Sequence, residues 1–139
     1  MRARITVLTP EQAEYLAAHQ LCVIATGRKD GSPQLSTVTY LYDGERLLSS
    51  ITKDRAKYWN VLRQPRVSVL VPDGRAQVIV YGTGEILEGK ARDEAIIAIR
   101  AHQGDPLPDD YDLDRFSQRL DELQRVVLSV TPERVLGGE

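Results

Sequence analysis

"LCVIATGRKDGSPQLSTVTYLYDGERLLSSI", residues 21–51, is the stretch whose reading decides the fold. "LCVIAT" (21–26) is a continuous apolar run of strand length, and "RKDGS" brings a turn at Asp30-Gly31. "PQLSTVTYLY" (33–42) then alternates, with Leu35, Thr37, Thr39 and Leu41 on one side and Gln34, Ser36, Val38 and Tyr40 on the other. Asp43-Gly44 makes a second tight turn, and "RLLSSI" (46–51) returns as a third strand. Strands joined this closely are antiparallel, because a parallel pair needs a crossover of about a dozen residues or more.

On the N-terminal side, "LTPEQAEYLAAHQ" predicts a short helix over 10–19. Thr9 is its N-cap, Pro10 suits the first helical position, Gln12 completes a capping box, and Leu8 can pack back on the first turns. On the C-terminal side, a helix is expected over 54–64, capped by Asp54, striped by Tyr58, Val61 and Leu62, and stopped by Pro65. "RVSVLV" (66–71) and "AQVIVYGTGEIL" (76–87) read as strands across a turn at Asp73-Gly74. Gly82 and Gly84 inside the second imply a bend or bulge, as at a barrel corner. Helices over 91–102 and 112–124, separated by the loop "GDPLPDD", precede a last strand in "RVVLSVTPERVLG". Six strands without βαβ alternation predict an α+β fold: an antiparallel sheet closed or nearly closed into a barrel, with short covering helices.

The 139 residues suit one domain, 1–139, and no internal repeat or low-complexity segment divides it. A formal net charge of −2 argues against nucleic acid as a partner, since such proteins carry a basic excess. The lone cysteine, Cys22, excludes an intrachain disulfide and a cysteine-built zinc site, and its apolar surroundings predict a buried thiol. No apolar run reaches the ~18 residues of a membrane span and no signal-peptide pattern opens the chain, so a cytoplasmic protein is expected.

Catalytic motifs are scarce. His19 and His102 stand on different helices without a neighbouring carboxylate in sequence, which predicts surface or helix-end roles. No nucleophile elbow, Walker loop or dinucleotide fingerprint occurs. The acids Asp109, Asp110, Asp112 and Asp114 read as a solvated run leading into a helix.

"TKDRAKYWN" (52–60) is different, because it puts Lys53, Arg55 and Lys57 at the start of a helix, where the backbone dipole is already positive. Ser50 and Thr52 add hydroxyls, Arg55 a planar fork and Lys57 a point charge, beside the free N–H groups of a first helical turn. Together they describe a phosphate site. The competing reading has Arg55 and Lys57 in solvent or paired with Asp54 and Glu45. Gln34, Ser36, Thr37 and Thr39 form a second polar set, either lining a ligand cleft on one face of their strand or belonging to a half-exposed strand. Trp59 is expected to pack in a core or an interface.

From "IATGRKDGSPQ" through "RVSVLV", the chain resembles the pyridoxamine 5'-phosphate oxidase-like split β-barrel superfamily, whose pattern combines a "DGxPxxSxVxY" turn and strand with "SxxxxRxKxxNxxxxPRVS". "VVLSVTPERVLG" resembles that superfamily's last strand, and the helical insertion is most similar to its actinobacterial, F-420-using branch. The resemblance implies a homodimer with cofactor sites between the subunits. It also implies a phosphate held by Ser50, Arg55 and Lys57, with the strand of Gln34, Ser36, Thr37 and Thr39 beside the ring and ribityl chain. It implies an oxidoreductase that takes a hydride from reduced coenzyme F-420 to a small organic acceptor, with an FMN enzyme or a non-catalytic carrier as alternatives. Positions 34–40 lack the arginine that the oxidase carries on this strand, and "TPERVLGGE" does not match its substrate-binding arginine and histidine, so vitamin B6 oxidation is not implied. Tyr40, Tyr58 and Tyr81 are candidate proton donors, and no metal is expected.

Overall fold

The computed structural model describes residues 7–138. The elements run α1 (Pro10–Ala18), β1 (Leu21–Gly27), β2 (Pro33–Thr39), β3 (Leu41–Tyr42), β4 (Leu47–Thr52) and α2 (Ala56–Arg63). They continue with β5 (Arg66–Asp73), β6 (Ala76–Leu87), α3 (Gly89–His102), α4 (Leu113–Glu122) and β7 (Arg125–Gly137). The strands form one antiparallel sheet in the order β2-β1-β5-β6-β7-β4-β3, curled into a split barrel. β2 and β4 approach each other across the split without sharing a ladder.

The sheet has seven strands where the sequence pattern predicts six, because the run 33–42 breaks at Tyr40. The Tyr40 amide donates to the Gln20 carbonyl at 2.8 Å, and its buried phenol donates to the Leu16 carbonyl at 2.6 Å. Alternation alone cannot register a residue withdrawn from the ladder to anchor a helix. The predicted cap of α1 is present: Thr9 accepts from the Gln12 amide and Gln12 Oε1 accepts from the Thr9 amide.

The bend expected at the glycines of β6 is also present, with the β6–β7 register shifting between Tyr81 and Gly82. A Cβ at Gly82 would collide with the Thr131 carbonyl, and one at Gly84 would lie 2.8 Å from the Val67 side chain. Only glycine lets β7 wrap so closely.

Two cores result. Ile24, Leu47, Ile51, Val69, Val80, Val126, Leu128 and Val130 fill the curl, closed at its ends by Leu16 of α1 and by Tyr58 and Val61 of α2. Leu48 and Val127 point the other way and pack under α3 and α4 against Ile96, Ile99, Phe116 and Leu120. β7 is thus buried on both faces at its start, which explains why "RVVLSV" lacks a two-residue alternation. Among the described residues, no helix is long and apolar enough to cross a membrane.

Candidate functional site

α2 is placed by its own apolar stripe. Burying Tyr58 and Val61 in the curl turns the N-terminal end of the helix toward the last residues of β4. Ser50 and Thr52, two apart on β4, point to one side of the sheet. Opposite them on β7 stand Val127 and Arg125. Ser50, Thr52, Arg55, Lys57 and Arg125, with Val38 and Ile51, line a cavity of about 150 Å³. A phosphoryl group fits a cavity of that size.

Asp54 does not cap this helix, contrary to the sequence-based expectation. The Arg55 amide bonds to the Thr52 carbonyl at 3.1 Å, which keeps the chain in a turn for one residue more and leaves Arg55 at the N-cap with no side-chain bond to the backbone. The Asp54 carboxylate instead accepts from the Thr52 hydroxyl, and this bond holds its pKa below the ordinary carboxylate value. The cap position is therefore basic and open.

Lys57 is only 8% exposed and forms no ion pair among the described residues. Burial first, and then the Arg55 charge, lower its pKa from the usual lysine value. Arg92 gives the contrast. It is the other buried cation among the described residues, 2% exposed, and it bonds Asp93 at 2.8 Å and Asp121 at 2.7 Å. Buried charges are ordinarily paired, because desolvation costs several kcal/mol per ion. Lys57 has no such pair among the described residues: Asp54 is near enough to act on its charge but forms no ion pair with it, and Arg55 adds like charge. Of the competing expectation, pairing with Asp54 or Glu45 is not met for Arg55 or Lys57, and the other half holds for Arg55, which is exposed to solvent, but not for Lys57.

Of the eight residues expected at a site, Ser50, Thr52, Arg55 and Lys57 converge on this cavity, while Gln34, Ser36, Thr37 and Thr39 do not line it. Strand geometry divides the second four. Gln34 and Ser36 share the face of Val38, the β2 residue that does line the cavity, whereas Thr37 and Thr39 face the other way. Gln34 accepts from the Thr26 hydroxyl at 3.4 Å, and Thr39 accepts from the Gln103 amide at 3.2 Å. Ser36 Oγ is buried and has no hydrogen-bond partner. Arg125 was invisible to sequence reasoning, because only the β4–β7 register sets it beside Thr52.

The remaining candidates fall elsewhere. Tyr40 is sealed in the core, and burial raises its phenol pKa well above the ordinary value, so it is no proton donor to a ligand. Tyr58 is buried edge-on to Trp59 at 4.9 Å, and Trp59, 58% exposed, does not join the core. His19 does acquire a carboxylate through tertiary contact: its Nε2 lies 3.0 Å from Asp73 while its ring stacks on Tyr15 at 4.1 Å. Asp112 caps α4 by accepting from the Arg115 amide at 3.1 Å. Cys22 is buried, and desolvation pushes its thiol up to about 12. No group of three or more metal-ligating side chains occurs among the described residues. A larger cavity of about 640 Å³ runs along β1, β5 and β6 and includes Tyr81, but its charged residues are one base, Arg66, and one acid, Glu133, so it has no cationic surplus.

The fold and sequence have known counterparts. A solved structure named F420 reductase shares 26% identity over 92% of this chain and 98% of its own, with a TM-score of 0.69. A conserved hypothetical protein of Mycobacterium tuberculosis is 25% identical over 98% of this chain and 87% of its own, with a TM-score of 0.77. The heme storage protein HutZ of Vibrio cholerae shares the fold, at 18% identity, a TM-score of 0.65 and 95% coverage of both chains. The sequence model named pyridoxamine 5'-phosphate oxidase matches residues 8–137, nearly the full length, and the chain belongs to that family of split-barrel proteins.

Proposed function

We propose that this protein is an oxidoreductase that holds the phosphate of a reduced deazaflavin, coenzyme F-420, in the cavity between β4, α2 and β7, and passes its hydride to a small organic acceptor. The observation that carries the reading is Lys57, a largely buried lysine that lines the cavity with no ion-pair partner among the described residues, beside Arg55 and Arg125, which have none there either. A phosphate ester fits that vacancy in charge and size. Ser50 offers a hydroxyl, Arg55 a bidentate fork and Lys57 an ammonium. Thr52, whose proton is engaged by Asp54, offers its oxygen to shape the rim. The bound cofactor supplies the hydride chemistry, and the protein supplies grip, orientation and exclusion of water. That division suits a site without a histidine or a free carboxylate. The choice of F-420 is supported by the likeness to the F420 reductase.

FMN is the second reading, because the cavity contacts a phosphoryl group and is indifferent to what the ester carries beyond it. Parallel titration of cofactor-free protein with F-420 and FMN, followed by Trp59 fluorescence and cofactor polarisation, separates the two. Micromolar or tighter binding of F-420 with FMN much weaker supports the proposal, and the reverse order assigns the chain to flavin chemistry. Binding without faster reoxidation of the reduced cofactor by quinones, enones or tetrapyrroles would make it a carrier.

The working unit is a homodimer. Val23, Leu70, Ile79 and Leu136 stand in one cross-strand row on the outer sheet face, with Leu35 and Tyr81 beside it, and Leu35, Tyr81 and Leu136 are exposed. A second copy over this strip would remove it from water and enclose the part of the cofactor that the 150 Å³ cavity leaves outside.

A further inference from the structure

We infer that Arg125 is the third cation of the anion site, contacting the phosphate ester from the side opposite α2 and setting the site's selectivity for phosphorylated over unphosphorylated ligands. The inference rests on the phosphate reading above and adds to it a residue from the far end of the chain.

Arg125 opens β7 directly across from Thr52. Its guanidinium is half-buried on the cavity wall, with Nη1 3.5 Å from Ser50 Oγ, at the outer limit of a hydrogen bond. No carboxylate pairs with it among the described residues. Arg55 and Lys57 approach the cavity from α2 and Arg125 approaches from the sheet, so an anion between them would be held from two sides. Three cations against the single carboxylate of Asp54 leave a surplus of two positive charges around the cavity rim. That surplus costs repulsion when the site is empty and is relieved by a bound anion.

The backbone around Arg125 is built to hold the side chain there. Arg92, buried beneath α4, donates from Nη1 to the Arg125 carbonyl at 3.1 Å and to Asp121 at 2.7 Å, and reaches the Ser117 carbonyl from Nη2 at 3.3 Å. Gln124, just before it, is the one non-glycine among the described residues with a left-handed backbone, φ 56°, and its carbonyl accepts from the Lys53 amide at 3.1 Å. The α3–α4 insertion, the β7 start and the turn after β4 are thus tied at this residue. Arg92 reaches the ligand only through Arg125, as a positioning residue.

The test uses a ligand pair that differs by the phosphate alone, FMN with riboflavin. Dissociation constants are measured for the full chain and for Arg125→Gln, Arg125→Lys and Lys57→Ala, with thermal unfolding recorded for each. The expected result is a loss of about tenfold or more in the affinity of Arg125→Gln for the phosphorylated member, the scale of one charge-assisted hydrogen bond. The unphosphorylated member should bind unchanged, the salt dependence should be shallower, and Arg125→Lys should recover part of the loss. An Arg125→Gln protein that keeps the wild-type preference while Lys57→Ala loses it would overturn the assignment and leave the phosphate site standing. Equal losses for both members of the pair would also overturn it, marking Arg125 as structural. A wild-type protein that does not distinguish the members would bring down the phosphate reading itself and Arg125 with it.

Discussion

Replacing Lys57 by methionine should make the cofactor-free protein more stable and weaken its hold on the cofactor. Methionine is similar in length, keeps an apolar stem and removes the ammonium. The residue is 8% exposed, its side chain lines the cavity beside the Arg55 charge, and no carboxylate among the described residues lies within ion-pair distance of it. A fully buried unsatisfied polar group costs about 1–3 kcal/mol, and an ammonium at the wall of an open cavity falls at the lower end of that range. For a chain of this size each kcal/mol moves the melting temperature by roughly 2–5 °C, so a rise of about 2–5 °C is expected. Loss of one charge-assisted hydrogen bond should weaken the phosphorylated cofactor by about 1.5–3 kcal/mol, or about 10- to 150-fold. Differential scanning calorimetry of the empty protein and titration with F-420 and FMN read the two effects separately. The pH dependence adds an independent sign. Because the folded pKa of Lys57 lies below its unfolded value, the unfolded chain holds more protons between the two. Stability of the empty protein should therefore rise with pH across that alkaline window, and the rise should vanish in the variant. A Lys57→Met protein no more stable than wild type, with affinity unchanged, would refute the reasoning.

Three other outcomes follow from the geometry. Gly82→Ala, whose Cβ would strike the Thr131 carbonyl, should cost more than Gly84→Ala, whose Cβ meets only side chains that can shift. Both should fall near about 1–3 kcal/mol of overpacking, measured by urea unfolding, and equal costs would mean that the β6–β7 bend gives way easily. The hydrogen bond to Asp73 raises the His19 pKa, so its contribution to stability is full below the unfolded value of 6.5 and is lost as pH rises through the higher folded value. The Tyr15 carbonyl raises that pKa too, so Asp73→Asn should reduce this dependence in thermal scans, and an undiminished dependence would exclude the pair as its main source. Finally, Leu35→Arg should shift sedimentation from dimer to monomer if the outer sheet strip is the subunit interface, whereas an unchanged species would rule that strip out.

Much of this architecture was legible in local sequence. Turns at Asp30-Gly31, Asp43-Gly44 and Asp73-Gly74 and the alternating runs between them announce antiparallel strands, because turn chemistry and side-chain period act over a few residues. The Thr9–Gln12 capping box and the glycine bend in β6 were likewise readable from their own residues. Half of the site was readable for the same reason, since Ser50, Thr52, Arg55 and Lys57 lie within eight positions on one strand end and one helix start. Tertiary structure decided the rest. Tyr40 left the ladder because a carbonyl of α1 lay within reach of its phenol, and only the fold decided which face of β2 borders the cavity. Asp54 turned from the helix end to accept from the Thr52 hydroxyl, and the cap position fell to Arg55. Lys57 became a buried, unpaired charge only when α2 sank its apolar stripe into the curl, and Arg125 reached Ser50 only through the register of β7 against β4. Propensity and pattern describe a residue's immediate neighbours along the chain. Burial and the absence of a counter-charge are properties of neighbours in space, and for this protein those are set by which strand pairs with which.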